Sequence, residues 1–294
     1  MTAIKQTIGW IGAGKMGLPI TLRFKTVGHT VHVLARSAES KAKLESAGLV
    51  AKPSIAEVCS HSNIVFSSIS DDAALNEVVC GNGGVADTLA EGRTYIDIST
   101  VSPEASRKVA ERLKEAGIAY LRSPVSGSTV MAEAGTLTAV VSGPKAKFDA
   151  LQHLFAQFSR KSFYVGEAEE ARAMKLVLNS MVAATSALLA EALAFGAKGG
   201  LDMATMLSVV NQSVVASPLI AYKTDMMEKG DYKPAATLSM LQKDIGLFLE
   251  TGADEKIDMP LCSAVHTIYR EASERGLGEL DFFVLVQDAL KRGA

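Results

Sequence analysis

Strands alternate with helices through the first half of the chain, and this alternation constrains the fold more than any other feature. Short runs rich in β-branched residues predict strands at residues 7–11, 30–35, 63–69, 94–99, 118–123, 137–143 and 162–166. Stretches rich in Ala, Glu and Lys lie between many of these runs, as in SPEASRKVAERLKEAG at 102–117. Alternation of this kind is typical of βαβ units. We therefore predict an α/β fold with a mainly parallel sheet.

The predicted strands stop near residue 167, and the sequence that follows is typical of helices. Residues 167–200 predict one long helix with acidic residues in its first turns, where the helix dipole favours negative charge. Further helices are expected near 202–211, 218–229, 237–253, 258–275 and 281–292. We therefore predict two domains, at residues 1–166 and 167–294.

Composition and charge limit the partners and the compartment. The 294 residues are 48% hydrophobic with a net charge of −2, which favours a sizeable core and gives no reason to expect nucleic acid or an anionic membrane as partner. The apolar stretch at 181–197 contains Thr185, Ser186 and Glu191, so a buried helix is favoured over a membrane span. The three cysteines form no CxxC pair, and the five histidines form no metal-ligand pattern. We expect no metal site, no secretory signal and a reduced, cytoplasmic protein.

Three glycines interrupt the apolar run at residues 7–20 and spell G-x-G-x-x-G between a predicted strand and a predicted helix. In this context the first glycine permits a tight turn, the second lets the backbone approach a pyrophosphate, and the third lets the helix pack closely on the strand. Amides at the helix N-terminus would face the phosphates. The alternative is a glycine-rich turn without a ligand. We predict a dinucleotide site formed by Gly12, Ala13, Gly14, Lys15, Met16 and Gly17.

The residue after the second predicted strand selects between NAD and NADP. An acidic residue about twenty positions after the glycines would bind the ribose 2′-hydroxyl of NAD. Arg36 stands there instead, and a guanidinium suits a 2′-phosphate by charge and by bidentate geometry. Glu39 is an alternative partner for the ribose, and Arg36 could instead be a solvated surface residue. We predict NADP as the cofactor, with NAD as the alternative.

Five segments of the chain resemble the signature segments of one family. They are GWIGAGKMGLPI at 9–20, DISTVSP at 97–103, SPVSGSTVMAEAGTL at 123–137, KLVLN at 175–179 and QKDIGL at 242–247. In this order they resemble the β-hydroxyacid dehydrogenases, which include 3-hydroxyisobutyrate dehydrogenase, tartronate semialdehyde reductase and the glyoxylate/succinic semialdehyde reductases. The resemblance covers nearly the whole chain. It implies a Rossmann-type doubly wound sheet followed by an all-helical C-terminal domain, with the active site in the cleft between them, and a homodimer or homotetramer built through the helical domain.

Lys175 and Asn179 lie four residues apart, on one face of an otherwise apolar predicted helix. Such a pair is expected to border a polar space, although a lysine near a helix start is often simply solvated. The resemblance implies that Lys175 is the catalytic general acid and base. It also implies that Ser126, Gly127 and Asn179 bind the substrate, with a plain turn as the alternative at 126–127. Expected cofactor contacts outside the glycine turn are Ser68 and Ile69, which lie at the end of a predicted strand, together with Thr100 and Lys243. The alternative for Thr100 is a helix cap, and the alternative for Lys243 is a surface lysine paired with an acid.

The sequence departs from the family pattern at two positions of the substrate loop. Ser128 stands in place of the usual second glycine, and Arg122 stands in place of an acidic residue. A side chain at position 128 could narrow or reshape the pocket, so the identity of the substrate stays open.

The residues and the resemblance together predict an NADP(H)-dependent oxidoreductase (EC 1.1.1.-) that interconverts a small 3-hydroxy acid and a semialdehyde. Its substrate would be a small carboxylated molecule, with the carboxylate near Ser126 and the carbonyl near Lys175. An imine reductase of the same fold is one alternative, and Lys175 argues against it because that class generally lacks the lysine. A dinucleotide-binding scaffold without catalysis is the other alternative.

Overall fold

The computed structural model describes residues 5–293 and divides into two compact units. The first unit ends at Lys175 and the second begins at Leu176. The first is a sheet covered by helices and the second is built from helices, which confirms the predicted fold class. The assignment of residues 1–166 to the cofactor and of 167–294 to substrate and assembly stays a prediction.

Within the described residues, nine strands form a single sheet in the first unit. They are β1 (Thr7–Ile11), β2 (Thr30–Leu34), β3 (Val50–Lys52), β4 (Ile64–Ser67), β5 (Thr94–Asp97), β6 (Ala119–Arg122), β7 (Val125–Ser126), β8 (Leu137–Ser142) and β9 (Ser159–Gly166). Six of the seven runs predicted from the sequence each contain one of these strands, and the run at 162–166 covers only the second part of β9, which begins at Ser159. The short strands β3 and β7 were not predicted.

The order of the strands creates a switch point in the sheet. The order is β3-β2-β1-β4-β5-β6-β8-β7, and β9 pairs with β8. Strands β1 to β6 are parallel, whereas β8 runs antiparallel to β6 and β7. The order reverses at β1, because β2 lies on one side of it and β4 on the other. Ligands bind at such points, outside the carboxyl ends of the strands. The crevice is therefore expected near Ile11 and Ser67, which are paired neighbours at the ends of β1 and β4.

Helices cover this sheet and make up the second unit. The first unit contains α1 (Gly17–Thr26), α2 (Ala38–Ser46), α3 (Ile55–Ser60), α4 (Asp72–Cys80), α5 (Val85–Thr88), α6 (Pro103–Glu115), α7 (Thr129–Ala134) and α8 (Lys145–Phe158). Helix α9 (Glu170–Lys198) crosses from the first unit into the second. The second unit continues with α10 (Met203–Gln212), α11 (Pro218–Lys229), α12 (Leu238–Asp254), α13 (Pro260–Ala272), a short π-helix (Ser273–Leu277) and α14 (Val284–Gly293).

Each unit has its own apolar core. Successive side chains of a strand point to opposite faces of the sheet, and in β1 Trp10 and Ile11 accordingly belong to different clusters. Trp10 is fully buried and stacks on Phe66 with the ring centroids 5.3 Å apart. The second unit packs around a separate cluster that includes Tyr269 and Phe283. The glycine turn thus follows a strand whose last four residues are buried.

Helix α9 is long and apolar enough to cross a membrane by length and composition, with a mean hydropathy of 1.6. This is weak evidence, since the core helix of a soluble protein passes the same test. In the second unit, Ala183, Ala187, Ala190 and Leu193 of α9 belong to the helical core. These contacts are those of a core helix.

Candidate functional site

A pocket of about 330 Å³ opens beside the switch point of the sheet. Its wall includes six residues predicted to contact the cofactor: Gly12, Ala13, Gly14, Arg36, Ser68 and Ile69. Lys15, Met16 and Gly17 complete the turn after β1 without lining this pocket. The structure therefore brings the glycine turn, the residue after β2 and the loop after β4 together around one space.

Two glycines of the turn have no room for a side chain, and the third faces open space. Gly12 has φ +88°, and a Cβ there would lie 2.1 Å from the Ser68 carbonyl oxygen. A Cβ at Gly17 would lie 2.4 Å from the Gly12 carbonyl oxygen. A Cβ at Gly14 would meet nothing within 4 Å, so the backbone at this position faces open space. This is the arrangement in which a phosphate can approach the backbone of the turn.

Trp10 fixes the turn from inside the protein. Its indole Nε1 donates a hydrogen bond to the Gly12 carbonyl oxygen at 3.2 Å. Sequence reasoning missed this residue. The available signal was its position, since the chain's single tryptophan stands two residues before the first glycine of the motif.

Two cationic residues lie at the end of the pocket formed by β2 and α2. Helix α2 begins after Ser37, whose hydroxyl accepts a hydrogen bond from the Ser40 amide at 3.1 Å. Arg36 and Lys43 both line the pocket, and Lys43 was not predicted. The lining residues do not include Glu39. Two cations and a helix N-terminus make this end of the pocket suited to an anion.

The loop after β4 is held by a buried carboxylate. The Ile69 amide donates to the Ser99 hydroxyl at 2.9 Å, and that hydroxyl donates to Asp97 Oδ1 at 2.6 Å. The Ser67 hydroxyl donates to the same oxygen at 2.5 Å. Asp97 is fully buried at the end of β5. Thr100 follows in the next loop, and the cap of α6 is supplied by Ser102, whose hydroxyl accepts from the Ala105 amide at 3.0 Å.

The predicted substrate loop follows β6 and includes β7. Gly127 has φ +136°, and a Cβ there would lie 2.7 Å from Leu137 Cδ2. Ser126 ends β7 and is half-buried. The Ser128 hydroxyl oxygen is buried and makes no hydrogen bond with any residue that the structure describes. The departure from glycine at 128 therefore adds an unbonded hydroxyl to this loop.

Lys175 lies in the second turn of α9, and the start of that helix is tied to the sheet. Arg122 at the end of β6 forms an ion pair with Glu169, just before the helix begins. The Ser142 hydroxyl at the end of β8 donates to the Ala168 carbonyl at 2.7 Å. Arg122, which replaces an acidic residue of the family pattern, thus has an acidic partner of its own. Lys175 itself is half-buried.

The two predicted segments of the second unit meet each other. The Asn179 amide nitrogen donates to Asp244 Oδ2 at 2.6 Å, and this bond joins α9 to α12. Lys243 Nζ lies 3.2 Å from Asp244 Oδ1. Asp244 was not assigned a role from the sequence, although it stands beside Lys243 in the KD segment. Between residues 5 and 293, His, Cys, Asp and Glu side chains form no group able to hold a metal ion.

Two family models match consecutive parts of the chain. The model described as the NAD binding domain of 6-phosphogluconate dehydrogenase matches residues 7–166. The model described as NAD-binding of NADP-dependent 3-hydroxyisobutyrate dehydrogenase matches residues 170–288.

Curated proteins and a solved structure match nearly the whole chain. Glyoxylate/succinic semialdehyde reductase 1 of Arabidopsis thaliana is 32% identical over 280 residues, which is 95% of this chain and 97% of that protein. The 2-(hydroxymethyl)glutarate dehydrogenase of Eubacterium barkeri is 31% identical over 281 residues, or 95% and 93% of the two chains. The crystal structure of a 3-hydroxyisobutyrate dehydrogenase from Salmonella typhimurium superposes with a TM-score of 0.87 at 23% identity, covering 97% of this chain and 100% of that one.

Proposed function

The chain belongs to the 3-hydroxyisobutyrate dehydrogenase family of NAD(P)-dependent oxidoreductases (EC 1.1.1.-), and from that premise we propose that it uses NADP(H) to interconvert a small carboxylated 3-hydroxy acid and its semialdehyde. One observation carries the proposal: the glycine turn and Arg36 line the same pocket at the switch point of the sheet. When bound there, the nicotinamide cofactor supplies the hydride.

The preference for NADP is supported by the charge of the pocket. Arg36 and Lys43 line it, and Glu39 is not among its lining residues. A 2′-phosphate would find two cations where a bare ribose hydroxyl would find no carboxylate acceptor. The open side of Gly14 and the N-terminal end of α1 suit the pyrophosphate.

Lys175 is the proton donor and acceptor in this proposal. During reduction, the Lys175 ammonium would donate a hydrogen bond to the carbonyl oxygen and pass it a proton as negative charge develops there. During oxidation, neutral Lys175 would take the hydroxyl proton. The anchoring of the start of α9 by Arg122 and Ser142 supports a lysine held in a fixed position.

The substrate carboxylate is assigned to the loop after β6. The Ser126 hydroxyl and the Gly127 amide are donors suited to a carboxylate. The unbonded Ser128 hydroxyl would make this site smaller and more polar than one with glycine. Asn179 and Lys243 keep their predicted roles toward substrate and cofactor as proposals.

We also propose that the protein forms a homodimer or homotetramer through its helical unit. Met181, Leu188 and Phe195 recur every seven residues along α9 and are 64%, 70% and 84% exposed. Apolar residues at this spacing form a stripe of the kind that packs against another helix. Sedimentation equilibrium measures the oligomeric state, and a monomer at micromolar concentration would contradict this proposal.

A cytoplasmic location of the protein stays a prediction.

The proposed function is tested by an NADPH-oxidation screen. The substrates are glyoxylate, succinic semialdehyde, tartronate semialdehyde and methylmalonate semialdehyde, with a cyclic imine as the competing class. Turnover of at least one semialdehyde, and of 3-hydroxy acids with NADP in reverse, is expected. Turnover of the imine alone would favour an imine reductase, and tight NADPH binding without any turnover would favour a non-catalytic scaffold.

A further inference from the structure

A buried polar network joins the first turn of α9 to the sheet. Arg172 lies in that turn and is 1% exposed. Its guanidinium donates to Asp97 Oδ2 at 2.5 Å, to the Ser99 carbonyl at 2.7 Å and to the Tyr120 hydroxyl at 2.7 Å. Its Nε donates to the Ser106 hydroxyl at 3.3 Å. One side chain is therefore held by groups at the end of β5, on β6 and on α6.

The same network reaches the wall of the pocket. Asp97 bonds to Arg172 through Oδ2, and through Oδ1 it accepts from the Ser99 hydroxyl. That hydroxyl accepts from the amide of Ile69, which lines the pocket. A single buried carboxylate thus bonds, directly or through one serine, to both α9 and the pocket wall.

The guanidinium remains charged in this setting. Burial by itself would lower the pKa of Arg172, but Tyr120 and Asp97 interact favourably with the cation and raise that pKa above its ordinary value. Asp97 and Arg172 are both fully buried, so each compensates the charge of the other.

Stability alone is a poor explanation for such a pair. The desolvation of two buried charges largely offsets their attraction, and a well-packed apolar set is often at least as stable. A planar guanidinium with several partners instead fixes orientation. Lys175 lies three residues after Arg172, one turn along the same side of α9.

We propose that Arg172 is a positioning residue, which holds the Lys175 turn of α9 in a fixed place relative to the pocket wall. It acts through Asp97 and Ser99, and it contacts neither substrate nor cofactor. The inference rests on the proposed role of Lys175 in proton transfer.

The first test is Arg172→Lys. It keeps a cation opposite Asp97 but cannot reach the Ser99 carbonyl, Ser106 and Tyr120 together. The expected fall in kcat is about 10- to 100-fold, since misplacement by about 1 Å can cost that much, with the Kd of NADPH within about twofold of wild type. An unchanged kcat would overturn the proposal. Arg172→Gln combined with Asp97→Asn removes both charges and serves as the second variant, for which the same fall in kcat is expected and an unchanged kcat would likewise overturn the proposal.

A matched control separates positioning from loss of stability. Lys223 forms an ion pair with Asp281 at 2.5 Å in the second unit, and both residues are buried. Lys223→Gln is expected to lower the melting temperature at least as much as Arg172→Lys while leaving kcat within about twofold. An equal fall in kcat for this control would assign the effect to destabilisation and overturn the proposal.

The decisive test introduces Arg172→Lys into the Lys175→Ala background. If Arg172 acts through Lys175, the residual single-turnover rate of the double variant equals that of Lys175→Ala alone. If Arg172→Lys lowers the rate by the same factor in the Lys175→Ala background as it does in the otherwise wild-type enzyme, the proposal is overturned, because Arg172 would then act independently of the lysine. Full turnover by Lys175→Ala would instead refute the proposed function, and that outcome is visible before the double variant is made.

Discussion

The backbone of Gly12 lies directly against the carbonyl oxygen of Ser68, which a Cβ at position 12 would approach to 2.1 Å. The two residues stand at the ends of the neighbouring strands β1 and β4, where the strand order reverses. A side chain at position 12 cannot be accommodated without separating these strand ends.

Gly12→Ala is therefore expected to lower NADPH affinity at least about 100-fold, because both the left-handed backbone and the close contact oppose the substitution. The affinity for NADPH is measured by a titration that follows NADPH fluorescence. Gly83→Ala is the matched control, since Gly83 has φ +70° but a Cβ there meets nothing within 4 Å. Equal NADPH affinity for the two variants would contradict the assignment of the turn.

Arg36→Ala is expected to weaken NADPH binding about 10- to 100-fold, because the loss of a charged hydrogen bond to the 2′-phosphate has an effect of this size. NADH binding is expected to be unchanged. Calorimetric titration of both cofactors measures it. Lys41→Ala in α2, the helix that follows Arg36, is the control, because Lys41 is exposed and pairs with Glu45. If wild type binds NADH more tightly than NADPH, the NADP assignment is wrong.

His29 makes stability depend on pH. Burial lowers the pKa of its ring below the ordinary value of 6.5, and its Nδ1 accepts a hydrogen bond from the Gln6 amide at 3.0 Å. As pH falls through about 6.5, the unfolded chain binds a proton that the folded chain does not, so the folded state loses stability. His29→Asn retains an acceptor and removes the titration. Between pH 7.5 and 5.5, the melting temperature of wild type should fall further than that of the variant, and parallel curves would refute this.

Ser128→Gly is expected to widen the substrate site and to raise kcat/KM about tenfold for a substrate one or two carbons longer than the best one found. The buried hydroxyl has no bond to lose, so the melting temperature should change little. Ser128→Thr should change kcat/KM in the opposite direction. Identical substrate profiles for the three proteins would show that position 128 does not border the substrate.

Local patterns were predictable from the sequence because they depend on neighbours in the chain. The glycine turn and the arginine after β2 each act within a few residues of their position. The strands β3 and β7 have three and two residues, and strands this short cannot show a recognisable alternation of apolar and polar residues.

The part of the site that could not be predicted from the sequence consists of pairings between residues that are far apart in the chain. Arg172 and Asp97 are 75 positions apart, and Asn179 and Asp244 are 65 apart. Nothing near Asp97 in the sequence signals that its partner is a buried arginine on the long helix. The resemblance to the family identified the segments, and the structure supplied the bonds among them.

Lys175→Ala tests the central claim most directly, with Lys198→Ala at the exposed end of the same helix as control. Steady-state NADPH oxidation with the best semialdehyde is measured alongside the Kd of NADPH. The account predicts a fall in kcat of about 100- to 10,000-fold, with NADPH affinity within about twofold of wild type. A kcat within about twofold of wild type for Lys175→Ala would contradict it.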